Sequence, residues 1–266
     1  MYRNLLFSLL ILCSAVTAAS AQQDTCSCRD SVGKAVYQWT AVKASEIDSL
    51  QSDTTVAGLI ARYKVDVDRH VNQVIGHTET GWNKDGDENS SVSVFLTDLM
   101  RNYALRYLDE ESDLSIMNLG GMRNTLLPGE IRLADIYQLS PFDNRIVCLE
   151  MKGSSIRHLV SDIVSVHSRF EGISGMELTL SGNRVVSIRI GGQPLDDDRL
   201  YKVITIDFLY NGGDGLDRLQ EAVSVRKSNE ILRNAIVRMI MDSEKKNQPV
   251  NVYPEIRVIK EGMGNE

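Results

Sequence analysis

The chain has 266 residues, with 29 Lys plus Arg against 36 Asp plus Glu and a formal net charge of −7 at pH 7. That balance excludes attachment to nucleic acid or to an anionic membrane by bulk charge, so an anionic ligand needs a local positive site. The length suits one large domain or two small ones, with ample apolar material for a core.

At the N-terminus, Arg3, the apolar run Leu5 to Val16 and the small-residue stretch Ala19-Ser20-Ala21 read as a signal peptide over 1–21, cleaved before Gln22. The run is too short for a stable membrane-spanning helix. The expectation is an exported, periplasmic or extracellular protein with no stable membrane anchor. Residues 22–52 read as a polar lead-in, with a short element near Val36 to Trp39, and 53–266 as the folded domain. Cys26 and Cys28 are too close for an unstrained bond with each other, and Cys148 reads as a buried free thiol.

Within the domain, Asp53-Thr54-Thr55 suits a helix cap, and Val56, Leu59, Ile60, Tyr63 and Val67 recur at helical spacing. Val71 to Thr78 reads as a strand. Ser91 opens an amphipathic helix to about Leu108. Leu114 to Met117 is a short buried strand, Arg132 to Gln138 a helical turn, Arg145 to Lys152 a strand, and Gly153 to Val166 a helix. Met176 to Leu180 and Val185 to Ile190 flank a hairpin turn at Gly182-Asn183. Tyr201 to Ile206 is a strand, Ser228 suits the cap of a helix carrying Ile236 and Met239, and Glu255 to Ile259 is a closing strand. Helices and strands interleave without βαβ regularity, which predicts a mixed α+β fold in layers.

Three loops carry residues suited to a small anionic, aromatic ligand. Asn118-Leu-Gly120-Gly121-Met-Arg123 follows a strand; its glycines free the backbone and its arginine suits a phosphate. Pro141-Phe142-Asp143-Asn144 holds a ring and an amide on a stiff loop, a pair suited to a base. Asn211-Gly-Gly213-Asp214-Gly215 suits a backbone cradle. Taken singly, each also fits an ordinary turn, with Phe142 as a core plug and Asp214 in a structural role. Asp85 to Asn89 echoes a calcium loop but lacks its glycine and its bidentate Glu. The four histidines show no metal-ligand spacing, and no nucleophile motif or phosphate-cradling Walker loop is present, so no catalytic or metal-binding residue is expected on this chain.

Taken in order, the three loops, with Leu127-Pro-Gly-Glu-Ile and Asp207-Phe208-Leu-Tyr before the last, resemble the C-terminal domain of the 5'-nucleotidases over about Val56 to Ile259. The resemblance implies a layered α/β/β/α fold with mixed sheets and a nucleotide or nucleoside ligand. It implies that Arg123 contacts phosphate, that Asn118 and Asn144 contact the nucleoside, and that Phe142 stacks on the base. Gly120, Gly121, Gly213 and Asp214 complete the expected substrate-binding set. It further implies that divalent metals belong to a partner metallophosphatase and that this chain binds no cofactor. The function expected is nucleotide binding in support of hydrolysis; the alternative is a non-catalytic nucleotide-binding or scaffold module. Where the family places an aromatic after Gly-Gly-Asp-Gly, this chain has Leu216, so one stacking face is expected to be aliphatic. Asp85-Gly-Asp87-Glu88 stands where the family tends to carry an arginine, which is expected to add negative charge near the phosphate.

Overall fold

The computed structural model describes residues 25–29, 35–40, 54–166 and 170–261. The chain divides into two units, residues 1–63 and 64–266. The first holds strands β1 (Thr25–Arg29) and β2 (Ala35–Thr40), an antiparallel pair in which Cys26 lies opposite Trp39. Within the expected lead-in, the described residues thus form a strand pair, where one short element near Val36 to Trp39 had been expected. The predicted signal peptide and the cap at Asp53 lie outside the described residues. Helix α1 (Thr54–Val71) runs across the boundary and buries none of its residues.

The second unit carries the rest: β3 (Val74–Thr78), α2 (Ser91–Tyr107), β4 (Leu114–Met117), β5 (Gly129–Arg132), α3 (Leu133–Leu139), β6 (Arg145–Lys152), α4 (Gly153–Val166), β7 (Gly172–Ser174), β8 (Met176–Ser181), β9 (Arg184–Ile190), β10 (Gln193–Pro194), β11 (Leu200–Ile206), α5 (Asp207–Tyr210), β12 (Ser224–Ile231), α6 (Leu232–Glu244) and β13 (Val258–Glu261). The class is α+β with mixed sheets, as expected. A five-stranded sheet runs β12-β6-β11-β4-β7, a four-stranded sheet β10-β9-β8-β13, and β3 pairs with β5. Pairs β11–β4 and β8–β13 are parallel; their neighbours are antiparallel.

The interior strand β4, flanked by β11 and β7, is buried at all four positions. Helix α2 packs on β4, β7 and β11 and turns Leu96, Leu99, Met100 and Tyr103 into the core. Its cap is Ser90, which accepts from the Ser93 amide, one residue before the expected start. Trp82 stacks on Phe95 at 4.0 Å between ring centroids and donates its indole N–H to the Val250 carbonyl at 3.0 Å.

Three expected features sit differently: the strand expected from Val71 begins at Val74, because α1 runs on to Val71. Ser228 does not cap α6: it lies inside β12, where its hydroxyl donates to the Ile146 carbonyl at 2.8 Å. The same hydroxyl accepts from the Glu230 amide at 3.2 Å, a local turn within β12 that precedes α6. The closing strand begins at Val258, because the residues before it serve as a clamp. The Arg257 guanidinium, 7% exposed, donates to the Ile173 carbonyl and pairs with Asp98 at 2.8 Å and with Glu255. Cys148 is a free thiol, half-buried. Among the described residues no helix is long and apolar enough to cross a membrane.

Candidate nucleotide-sized binding site

The pairing of three strands explains why the three loops meet. β4 and β11 are parallel, so both end at the same edge of the five-stranded sheet. β6 is antiparallel to β11, with Ile206 opposite Ile146, so β6 begins where β11 ends. The turn after β4, the loop before β6 and the turn after β11 therefore emerge side by side, at the carboxyl ends of the parallel strands.

Each loop is then shaped locally. After the extended Asn118, residues Leu119–Gly121 make one tight helical turn, and the Arg123 amide donates to the Leu139 carbonyl at the end of α3. The buried Glu171 carboxylate accepts from the Leu119 amide at 2.7 Å, and Lys84 donates to the Met122 carbonyl at 2.8 Å. Asp207 receives the amides of both Phe208 and Arg145 at 2.9 Å, which joins the ends of β11 and β6. In the second glycine turn, Asp214 adopts the left-handed region at φ 53°. Its carboxylate accepts from the Asn118 side-chain amide at 2.6 Å, linking the first and third loops.

These residues enclose a cavity of about 150 Å3 lined by Asn118, Gly120, Gly121, Arg123, Phe142, Asn144, Phe208 and Asp214. Seven of the eight residues expected from sequence lie on it. The eighth, Gly213, supports it from behind. A side chain at Gly213 would place its first carbon 2.5 Å from the Phe208 ring, so only glycine admits that ring. Phe142 and Phe208 are 41% and 42% exposed, unusual for large apolar rings and consistent with faces kept open. The Arg123 guanidinium lies over the Phe142 ring, 5.2 Å from its centroid.

Two expectations about this site need correction. Leu216 offers no face to a ligand, because it is fully buried in the core. The second ring is Phe208, which precedes the glycine turn. Its position directly after β11, at the same edge as Asn118, was the signal that could have found it. In the acidic run 85–88, Glu88 turns inward, 1% exposed, and pairs with Lys260 at 2.7 Å; no residue of the run lines the cavity.

Electrostatically the cavity combines one cation, Arg123, one carboxylate and two amides with two rings. Pockets that engulf a whole small ligand measure about 300–1,000 Å3, so this one suits a part of a ligand, such as one planar ring system. Among the described residues no group of three or more His, Cys, Asp or Glu is arranged to hold a metal ion. His77 is engaged with Glu244 at 2.8 Å. The donor set needed to hold two metals is not met by the described residues.

Comparison with known proteins gives a consistent result. The family model for the 5'-nucleotidase C-terminal domain matches residues 74–221. The chain is 29% identical over 114 residues to Protein UshA of Yersinia enterocolitica, covering 41% of this chain and 20% of that protein. It is 24% identical over 208 residues to the NAD 5'-nucleotidase of Haemophilus influenzae, covering 68% of this chain and 34% of that one. Among solved structures, a 5'-nucleotidase precursor from Thermus thermophilus superposes with a TM-score of 0.67 at 22% identity, over 90% of this chain and 49% of that one. This chain thus spans a fifth to a third of those curated relatives and about half of that structure.

Proposed function

The chain belongs to the 5'-nucleotidase C-terminal domain family, and from that premise we propose that it binds the base and sugar of a nucleotide and presents the phosphate for hydrolysis. The observation that carries this reading is the convergence of two phenylalanine rings, an arginine and two asparagine amides on one small cavity. A base entering there would meet Phe142 and Phe208; stacking on an aromatic is worth about 1–3 kcal/mol per base. The Asn144 amide would read a base edge. Asn118, held by Asp214, would present its amide to the nucleoside. Arg123 is exposed and joins the ring only by a cation–π contact, so it is free to grip a phosphate with two hydrogen bonds.

Two-metal chemistry on that phosphate would be supplied by a metallophosphatase domain, which would hold the divalent ions and activate water. The described residues of this chain do not fit such a centre, so their part is to bind and orient. Orientation alone is a large contribution, because it turns an encounter into an intramolecular step. We also read the chain as exported, on the signal-like sequence of residues 1–21; the mass of the protein recovered outside the cytoplasm would show cleavage before Gln22 or its absence.

Calorimetric titration with AMP and adenosine, in EDTA and with Phe142→Ala as control, tests the binding role. Binding of AMP that the control weakens about tenfold or more supports it; no heat with either ligand sinks it. Mixing the chain with a metallophosphatase domain and following phosphate release tests the catalytic contribution. Binding without any release on mixing would leave a non-catalytic nucleotide-binding module.

A further inference from the structure

The Phe142 loop is anchored where β12 runs into α6, just beyond the pairing of Ile231 with Arg145 at the end of the sheet. It hangs from the first residues of α6, some 90 residues later in the chain. The Leu232 amide donates to the Asn144 carbonyl at 2.8 Å. Arg233, 8% exposed, donates to the Ser140 carbonyl at 3.3 Å and to the Pro141 carbonyl at 3.0 Å, and pairs with the Asp143 carboxylate. Its guanidinium also lies over the Tyr137 ring, 4.4 Å from the centroid, at the end of α3. One planar cation thus grips the residues on both sides of Phe142 and is itself fixed in direction by a ring. Lysine, a point charge without a fork, does not substitute for such a grip.

Arg233 is absent from the cavity lining, so it acts on a ligand only through the loop. Asp143 is 71% exposed, so the ion pair with it is screened and contributes little by itself. The contact with the Ser140 carbonyl is buried and that with the Pro141 carbonyl is part-buried. They fix where the loop backbone runs, and through it the plane of the Phe142 ring. Pro141 cannot donate an amide hydrogen, so this stretch depends on its carbonyls for anchorage.

The geometry points to Arg233 as a positioning residue for base recognition: it sets the Phe142 ring in the base-stacking plane, while the phosphate-binding side of the cavity is independent of it. This rests on the nucleotide-binding reading above. The test uses the full chain and three measurements on Arg233→Gln and Arg233→Lys. First, amide hydrogen exchange of residues 140–144 without ligand should quicken about tenfold or more, with β4 and β11 unchanged. Second, AMP binding should weaken about tenfold, the scale of one lost stack, while ribose 5-phosphate binding stays within about twofold. Third, in a Phe142→Ala background, Arg233→Gln should weaken AMP by no more than about twofold further, as expected for residues acting as one unit.

Unchanged exchange in the loop overturns the inference. So does equal loss of AMP and ribose 5-phosphate, or an undiminished effect in the Phe142→Ala background. If Arg233→Gln does not fold, Arg233→Lys carries the test, with the same direction, because an ammonium cannot reach both carbonyls as the guanidinium fork does. Failure of the wild-type chain to bind either ligand sinks the nucleotide reading of the cavity, and the exchange measurement then decides the role of Arg233 alone.

Discussion

At the scale of single residues, the site turns on which side chains face the cavity, and sequence alone misplaces one of them. Counting along the glycine motif puts Leu216 where a ring belongs, yet Leu216 is fully buried and Phe208 lines the cavity. Two opposite outcomes follow. Phe208→Ala should weaken AMP about fivefold to tenfold, in line with a lost stacking face, as read by calorimetry. Leu216→Phe, the change that restores the family pattern, should leave AMP affinity no better and lower stability by about 1–3 kcal/mol in urea denaturation, because it overpacks a filled core. Asn118, Arg123, Phe142 and Asn144 were singled out because the three loops in order resemble the 5'-nucleotidase family; each loop alone fits an ordinary turn. Arg233 was not, because nothing in its helical surroundings reveals a backbone carbonyl 92 positions away. Cys148 adds a pH prediction. Burial, and then the nearby Glu110 carboxylate, push its thiol from the ordinary 9.0 up to about 11. The raised value means that the folded state favours the protonated thiol. Its contribution to stability is therefore complete below about pH 9 and lost on rising toward about 11. Alkylation of Cys148 should stay slow at about pH 8 and accelerate only above about pH 10, as followed by mass spectrometry.

At the scale of elements, hydrophobic periodicity located most of the strands and helices, and two of the misses share one cause. Strand β6 and helix α4 match the expected spans, since both carry uninterrupted periodic burial. Ser228 and the residues before β13 were misread because each side chain spends its polar groups on a distant element. Arg257 shows what such a bond is worth. It ties the C-terminal segment to α2 through Asp98 and to β7 through the Ile173 carbonyl. Arg257→Met should lower stability by about 2 kcal/mol in chemical denaturation. The figure stays modest because Asp98 is 40% exposed and recovers water once its partner is gone. Gly153 makes the complementary point at the start of α4: a Cβ there would lie 1.9 Å from the Asp196 carbonyl oxygen. Gly153→Ala should therefore destabilise despite its better helix propensity, with a lowered thermal midpoint as the readout.

At the scale of the whole molecule, the sheet order decides everything the loops can do, and that order was not legible. Single-strand patterns reveal burial, but they do not say that β11 inserts between β6 and β4. The net charge acts at this scale as well. A chain at −7 with a single cation in its cavity should not retain duplex DNA at about 0.15 M salt in a gel-shift experiment, since nonspecific affinity comes from phosphate neutralisation. The insertion of β11 has a further consequence. Cut the chain at the exposed Gly182-Asn183 hairpin, and one piece keeps Asn118, Arg123, Phe142 and Asn144 while the other keeps Phe208 and Asp214. Neither piece owns a pocket, and neither can close its sheet alone. On the proposed nucleotide-binding role, AMP binding followed by calorimetry is expected to return on mixing the two fragments only when β11 pairs again with β6 and β4.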